Sequence, residues 1–248
     1  MRTHNRLEIE SVEAGSPAAK AGLQQGDVLL SINSCQLRDV IDFMFNKSSD
    51  ELEIEFIRHA TKGKVLISPE HDTDLGITVR PFKIKTCRNN CIFCFVKQLP
   101  KGLRKSLYIK DEDYRLSFLY GNYMTLSNIT PEDKKRILEQ RLSPLYISVH
   151  TTNRSLRNKM LGNPQAQDIL KELKFFSHNK IRMHVQIVLC PGFNDGKELQ
   201  NTIKDIYKFY PYVSSVAVVP VGLTRHRKHQ LQPVTKDDAL AAITIVES

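Results

Sequence analysis

The sequence predicts an α/β protein in which a small, mainly β domain precedes a larger region built on a parallel sheet. Two observations carry that expectation. Up to Pro69 the chain reads as short alternating strands and tight turns, whereas from Leu75 strand, loop and helix signals recur about every thirty residues. Later strands such as Val216-Ala217-Val218-Val219 are apolar on both faces, as in a sheet covered by helices on each side. The expected boundaries are residues 1–69 for the first domain, 70–76 for a linker and 77–248 for the second.

In the first domain the run from Gly15 to Asn33 is the most informative. Ser16-Pro17 supplies a helix cap followed by a residue suited to the first helical position, and Gly22 stops the short Ala-rich helix. Gly26-Asp27 turns into a strand over Val28 to Ile32. Asp39 to Phe45 predicts a helix with Val40, Phe43 and Met44 on one side. Leu52, Ile54 and Phe56 alternate as a strand, and Lys62-Gly63 turns the chain back into Val65 to Ile67. Cys35 reads as a small buried hydrophobe.

In the second region the predicted strands are Ile77 to Phe82, Leu116 to Tyr120, Leu145 to His150, Met183 to Leu189 and Val216 to Val221. Helices are expected over Glu132 to Arg141, Gln165 to His178, Gly196 to Phe209 and Lys236 to Val246. Thr130-Pro131-Glu132-Asp133 is a capping signature before the first of them. Crossovers of this length build either an open doubly wound sheet or a barrel. No Gly-rich nucleotide fingerprint follows the first strand.

Bulk properties narrow the class. The 248 residues are 41% hydrophobic and 25% charged, which is ordinary for a globular protein. No apolar run reaches the length that crosses a bilayer, and Met1 to Glu10 lacks the apolar core of a signal peptide. A cytoplasmic address without a membrane partner is expected. The net charge of +9 raises a nucleic-acid partner. The densest basic stretches, Lys101 to Lys110 and Arg225 to His229, lack interleaved aromatics, so a solvated basic face is the simpler reading.

Three of the five cysteines fall within KTCRNNCIFCF, as Cys87, Cys91 and Cys94, a C-x3-C-x2-C spacing. In a reducing compartment such clustering points to metal rather than to disulfides. Soft thiolates on so short a loop suit zinc or an iron–sulfur cluster. Three ligands leave a coordination position open, whereas a structural zinc site closes with four. Cys190 and His71 are the nearest candidates for a fourth ligand, so both metals stand at this point.

Cys-x3-Cys-x-aromatic-Cys, with Phe93 as the aromatic, resembles the signature of the radical S-adenosylmethionine superfamily. Further stretches that carry the resemblance are DEDYRLSFLYGNYMTLSN, RLSPLYISVHTT, VQIVLCPGFNDG and VAVVPVGLT. Gly15 to Asn33 resembles a PDZ domain, and the whole chain is similar to a bacterial family that joins such a domain to a radical core. The resemblance implies a partial TIM-type (βα) barrel whose first strand precedes the cysteine loop. It implies a [4Fe–4S] cluster on Cys87, Cys91 and Cys94, with one iron free to chelate S-adenosylmethionine. One electron, from a donor such as a ferredoxin or flavodoxin, then gives a 5′-deoxyadenosyl radical that abstracts hydrogen from a substrate. It also implies that Phe93 lies near the adenine. Such barrels have six strands and five are legible here, so the chain reads as shortened at its carboxyl end.

Other site candidates follow from position. Where the superfamily carries a Gly-Gly-Glu-like motif, this chain reads Gly121-Asn122-Tyr123, leaving backbone groups at Gly121 and Asn122 as ligands for the methionine amino group. Ser148 and His150 project to one face of the third strand, with His150 the candidate proton carrier. Gln186 and Cys190 share a face of the fourth; Gln186 is a candidate ribose or carboxylate contact and Cys190 inert packing. Pro191-Gly192 and Pro220-Val221-Gly222 read as strand-ending turns. Asp111-Glu112-Asp113 reads as a solvated loop or, with Arg115, a substrate clamp. Lys97, Lys101 and Arg104 read as a solvated loop or as groups tuning the cluster.

A PDZ-like domain captures extended peptide ends along a sheet edge. The Gly-rich loop that grips the carboxylate should precede Leu7, and Met1 to Arg6 hold no Gly, so docking or packing competes with peptide capture. The contrasting function is a zinc-stabilised scaffold acting through this domain.

Overall fold

A computed structural model describes residues 7–70, 73–228 and 230–247. The chain divides into two compact units, Met1–Lys83 and Ile84–Ser248. Met1 to Arg6, His71 and His229, which entered the reading above, lie outside the described residues. No helix among the described residues is long and apolar enough to cross a membrane.

The first unit is a sheet in the order β5-β4-β2-β1-β6, with β3 on β2. Its strands are β1 (Leu7–Val12), β2 (Val28–Ile32), β3 (Cys35–Gln36), β4 (Leu52–Arg58), β5 (Thr61–Ile67) and β6 (Ile77–Val79). Helix α1 (Pro17–Lys20) starts where the Ser16 side chain accepts from the Ala19 N–H, with Pro17 in the first turn. Helix α2 (Val40–Asn46) is capped by the Asp39 side chain. Alternation on β4 buries Leu52, Ile54 and Phe56 against Ile9, Leu29 and Ile32. Each such side chain stabilises the fold by roughly 1.5–3 kcal/mol. Asp27, only 1% exposed, receives both Nε and Nη2 of Arg58 at 2.7 Å and ties the Gly26-Asp27 turn to β4.

Four readings are corrected here. The β4–β5 hairpin turns at His59-Ala60, both with positive φ as a tight two-residue turn demands, and Lys62-Gly63 lie inside β5. Gly63 belongs there because a Cβ would meet the Phe56 ring at 2.5 Å. Helix α2 buries Ile41 and Phe43 and leaves Met44 48% exposed. Cys35 is exposed, because β3 is a two-residue strand with both residues facing solvent.

The fourth correction concerns topology. Ile77 to Phe82 was expected to open the barrel, but β6 pairs antiparallel with β1 and belongs to the first unit's sheet. Gly76 enables that pairing. Its φ is +71, its carbonyl accepts from the Glu13 N–H at 2.8 Å, and a Cβ would sit 2.4 Å from Cβ of Ser16.

The second unit centres on a parallel sheet, β7-β8-β9, formed by β7 (Leu145–Ser148), β8 (Met183–Leu189) and β9 (Val213–Pro220). Its helices are α3 (Tyr114–Tyr120), α4 (Pro131–Glu139), α5 (Arg154–Leu161), α6 (Ile169–His178), α7 (Gly196–Tyr207) and α8 (Lys236–Glu247). The Thr130 capping box forms as the sequence predicts, with Asp133 as the reciprocal partner. Among the described residues this sheet has three strands, not the five expected of a partial barrel. Leu116 to Tyr120 is helical, capped by Asp113 at one end and by left-handed Gly121 at the other. Those caps outweigh the apolar run that suggested a strand. The next strand position is taken by Met124, which bridges Ile147 in parallel and hydrogen-bonds Tyr146 and Ser148. Helix α5 was not anticipated, and the expected helix from Gln165 begins only at Ile169, after an Asp168 cap.

Gly76→Ala should destabilise the first unit by about 1–3 kcal/mol, since it combines a left-handed φ with a close contact. Denaturant unfolding of the intact chain checks this; an unchanged midpoint would show that β6 is not integral to the sheet.

Candidate functional site

The cysteine loop is built against the end of α5. The Asn90 N–H donates to the Leu161 carbonyl and the Ile92 N–H to that of Met160, each at 2.9 Å. These are carbonyls that a helix C-terminus leaves unpaired. Gly162 follows in the left-handed conformation, φ +56, and a Cβ there would lie 2.3 Å from the Asn90 carbonyl oxygen. Only glycine lets the loop come this near.

Other segments pin the same loop. The Cys87 N–H donates to the Lys110 carbonyl at 2.7 Å, and Thr86 bridges Asp111. Asn89, 2% exposed, donates to Thr125 Oγ1 and accepts from Asn163, while its carbonyl receives Lys110 Nζ. Lys97 Nζ donates to Asn90 Oδ1. Past Cys94, buried Gln98 reaches the end of β9: its Nε2 donates to the Gly222 carbonyl and its Oε1 accepts from the Thr224 N–H. Segments around Asn122, Asn163 and Gly222 thus hold the loop or its immediate flanks.

The three thiols share one environment. Burial pushes Cys91 up to about 12, and negative charge on Cys87, Cys94 and Glu112 pushes the same way. Cys87 is raised by burial and by Glu112 and Cys94, with its hydrogen bond from Asn89 and the Lys110 charge opposing. Nearby positive charge, from a metal ion or from basic side chains, is what stabilises such a trio as thiolates. The donor chemistry therefore fits a thiolate-bound metal. Among the described residues no group of three or more His, Cys, Asp or Glu side chains is arranged to hold a metal ion. Cys190 is raised to about 12 by burial and by Asp195, and packs among apolar side chains that include Ile92 and Phe93.

Several charged groups at this site were missed or misread. Glu112 and Asp113, expected in a solvated loop, are 3% and 1% exposed. Glu112 accepts from Thr125 Oγ1 and the Ser127 N–H, and burial raises its carboxyl above the ordinary range. Asp113 is paired with Arg115 at 2.6 Å while capping α3, so neither is free to clamp a substrate. Arg157, 1% exposed, donates to the carbonyls of Val149, Gln167 and Thr125 and feels the charges of Glu112 and Cys91. Burial nevertheless lowers it to about 10. Arg157 thus cross-links the end of β7 to the Met124 segment, beside the thiols.

The remaining predicted residues divide. The Phe93 and His150 rings lie 4.5 Å apart. His150 is just beyond β7 with φ +66, outside regular strand alternation. Ser148 pairs with Gln186, and Gln186 with Ala217, so Ser148 and Gln186 stand in one row across the sheet. Ser148 is 7% exposed and Gln186 half-buried. Asn122 donates to Asp111, beside the cysteine loop, whereas Gly121 ends α3 against Tyr146. Lys101 and Arg104 are exposed.

Gly162→Ala should push the Asn90–Ile92 segment off α5. Alkylation of Cys91 in the metal-free protein is expected to accelerate about ten-fold or more, with a lower melting temperature. Unchanged labelling would refute the clamp.

A family model described as a Radical SAM-like domain matches residues 69–216, and one described as a PDZ domain matches residues 8–44. No curated protein matches the chain. Among solved structures, the HtrA3 PDZ domain bound to a phage-derived ligand is 24% identical over 27% of this chain and 61% of its own, with a TM-score of 0.26. The PDZ domain of an SdrC-like protein from Listeria monocytogenes is 23% identical, covering 32% of this chain and 92% of its own, with a TM-score of 0.27. A radical SAM methyltransferase from Sphaerobacter thermophilus is 11% identical over 81% of this chain and 71% of its own, at 0.38. With cysteine loop, Met124 segment and β7–β8 strands all inside the longer match, the chain belongs to the radical SAM-like family and carries a PDZ-like region on its amino-terminal side.

Proposed function

We propose that the chain is an oxygen-sensitive radical enzyme that reductively cleaves S-adenosylmethionine and abstracts hydrogen from a substrate still to be identified. The observation that carries this reading is the C-x3-C-x2-C loop clamped at Gly162, within the region matching the family. Cys87, Cys91 and Cys94 would hold a [4Fe–4S] cluster. That group, when bound, supplies one-electron cleavage of the sulfonium C–S bond to methionine and a 5′-deoxyadenosyl radical.

The chain's own residues do the rest. Gly162, Asn89 and Gln98 keep the loop in one conformation, and buried Arg157 and nearby Lys110 favour anionic thiolates. Phe93, Ser148, His150 and Gln186 are the nearest candidates for contact with S-adenosylmethionine, with Asn122 held to one side by Asp111. Exposed Lys101, Arg104 and Lys105 give the segment after the loop a basic surface, which suits an acidic carrier such as a ferredoxin or flavodoxin. The reducing cytoplasm is the matching compartment.

Anaerobic reconstitution should give a brown protein that releases 5′-deoxyadenosine with dithionite and S-adenosylmethionine. Cys87→Ala, Cys91→Ala and Cys94→Ala should each abolish both properties. A colourless protein with one zinc per chain would instead support the scaffold reading.

One observation also favours peptide capture by the PDZ-like region. The sequence lacks a glycine loop before Leu7, yet Leu75-Gly76-Ile77 leads into β6 on the outer edge of that sheet. A strand pairing on one side only can accept an extended peptide on the other. Apolar peptides with a free carboxylate should bind in fluorescence anisotropy about ten-fold tighter than their amidated forms. Equal affinity would remove the terminal-carboxylate reading.

A further inference from the structure

The parallel strands end on the side of the cysteine loop, where Gln98 is tied to Gly222 beyond β9. Their starts form the opposite end, and a second surface takes shape there. Helix α7 stops at Tyr207, and the turn into β9 is closed by the Tyr210 N–H on the Tyr207 carbonyl at 3.0 Å. The Tyr212 and Val213 N–H groups both donate to the Phe209 carbonyl. This turn sets the Tyr207 and Tyr210 rings side by side, with centroids 6.2 Å apart and planes 16° from parallel. The two residues are 75% and 71% exposed, and neither hydroxyl has a hydrogen-bond partner among the described residues. Folding therefore gains little from either side chain.

Cations gather around the same end. The Arg182 N–H donates to Ser143 Oγ, just before β7, at 2.9 Å, and Arg182 Nε reaches Ser214 Oγ on β9 at 3.5 Å. Ser214 Oγ in turn donates to the carbonyl of Pro211, the residue after Tyr210. Arg141 donates to the carbonyls of Asn179 (3.0 Å) and Lys180 (3.4 Å), which brings Arg141, Lys180 and Arg182 together ahead of β7 and β8. Lys204 lies three residues before Tyr207 on α7, on the same side of the helix. All four are exposed, and none forms an ion pair among the described residues. Lys208, by contrast, is paired with Asp205 at 2.7 Å.

We propose that this surface binds single-stranded nucleic acid, with the tyrosine pair as a stacking platform and Arg141, Lys180, Arg182 and Lys204 as phosphate contacts. Every unpaired base offers a flat face to such rings, and stacking of this kind tolerates any sequence. Surface cations without carboxylate partners are what a phosphate backbone neutralises. An acidic protein answers the charges alone; the exposed ring faces call for planar groups as well. The cations and rings come from separate segments, so no basic stretch of the sequence marks the site. Its ligand does not depend on the reaction proposed above.

The test is binding of the anaerobically reconstituted full chain to short fluorescein-labelled oligouridine and oligothymidine, followed by anisotropy. Micromolar binding is expected, falling with salt at a log–log slope of about −3 for four phosphate contacts. Tyr207→Ala combined with Tyr210→Ala should weaken it about ten-fold or more, and Arg182→Gln should flatten the slope by about 0.7. Because the chain has no Trp, its tyrosine fluorescence reports stacking directly: unlabelled oligomer should quench it in the parent and not in the tyrosine variant. An abasic oligomer of equal length should bind weakly, and alike to both proteins. Either oligomer bound through the tyrosines supports the proposal, and the tighter of the two assigns RNA or DNA. No binding, unchanged affinity in the tyrosine variant, or absent quenching overturns it. So does an abasic chain or polyglutamate that binds as tightly as oligouridine, which would leave an acidic partner instead. Failure to release 5′-deoxyadenosine would defeat the reaction and leave this surface standing.

Discussion

The close approach of the cysteine loop to the end of α5 is the constraint on which the site depends. A helix ends with carbonyls it cannot pair internally, and a loop that presents three cysteines needs backbone anchors that leave its thiols free. Here each supplies what the other lacks: Leu161 and Met160 accept from Asn90 and Ile92. The left-handed Gly162 both ends the helix and leaves room for Asn90. Cys91, between the two anchored residues, becomes the most buried of the three thiols, and its raised pKa follows from that burial first.

Burial of thiols creates an electrostatic demand that the surroundings meet in part. Glu112 adds negative charge and Arg157 positive charge, both nearly sealed from water. Arg157 survives burial because its guanidinium is spread over several carbonyl oxygens, from Thr125 to Gln167. The same hydrogen bonds fix the backbone at the end of β7, so one residue serves both charge balance and geometry. Removing Asn89, whose amide joins Thr125 and Asn163, would uncouple the loop from two of the segments that hold it.

Much of this is legible in the amino-acid sequence. Cysteine spacing is local, so three thiols on one loop could be read directly; caps such as Ser16 and Thr130 are equally local and both form. What failed was non-local or ambiguous in period. Leu116 to Tyr120 is too short an apolar run to separate strand from helix, and the deciding caps, Asp113 and Gly121, flank it. The partner of Ile77 to Val79 lies some seventy residues earlier in β1, a pairing that no local pattern announces. Glu112 read as part of a solvated or clamping loop and Arg157 was not singled out, because a sequence does not show which charged side chains a fold will bury. Asn194 sits in the quoted stretch VQIVLCPGFNDG, yet its role as a tie between strands needs the sheet to exist first.

The order of these dependencies explains why the site occupies strand ends rather than strand middles. A central strand such as β8 pairs on both sides along its length, and its ladder ends where the strand stops. At the end of β7 the backbone groups meet Arg157 and Asn194, and at the end of β8 they meet His150 and Asn194. Satisfying them requires side chains from α5 and from the turn before α7, which draws both toward the cysteine loop. The left-handed backbone at His150 is the local cost of that closure, and it turns the imidazole toward Phe93 rather than along the strand. A ring held by its backbone, by one of its nitrogens and by an aromatic neighbour has little freedom left.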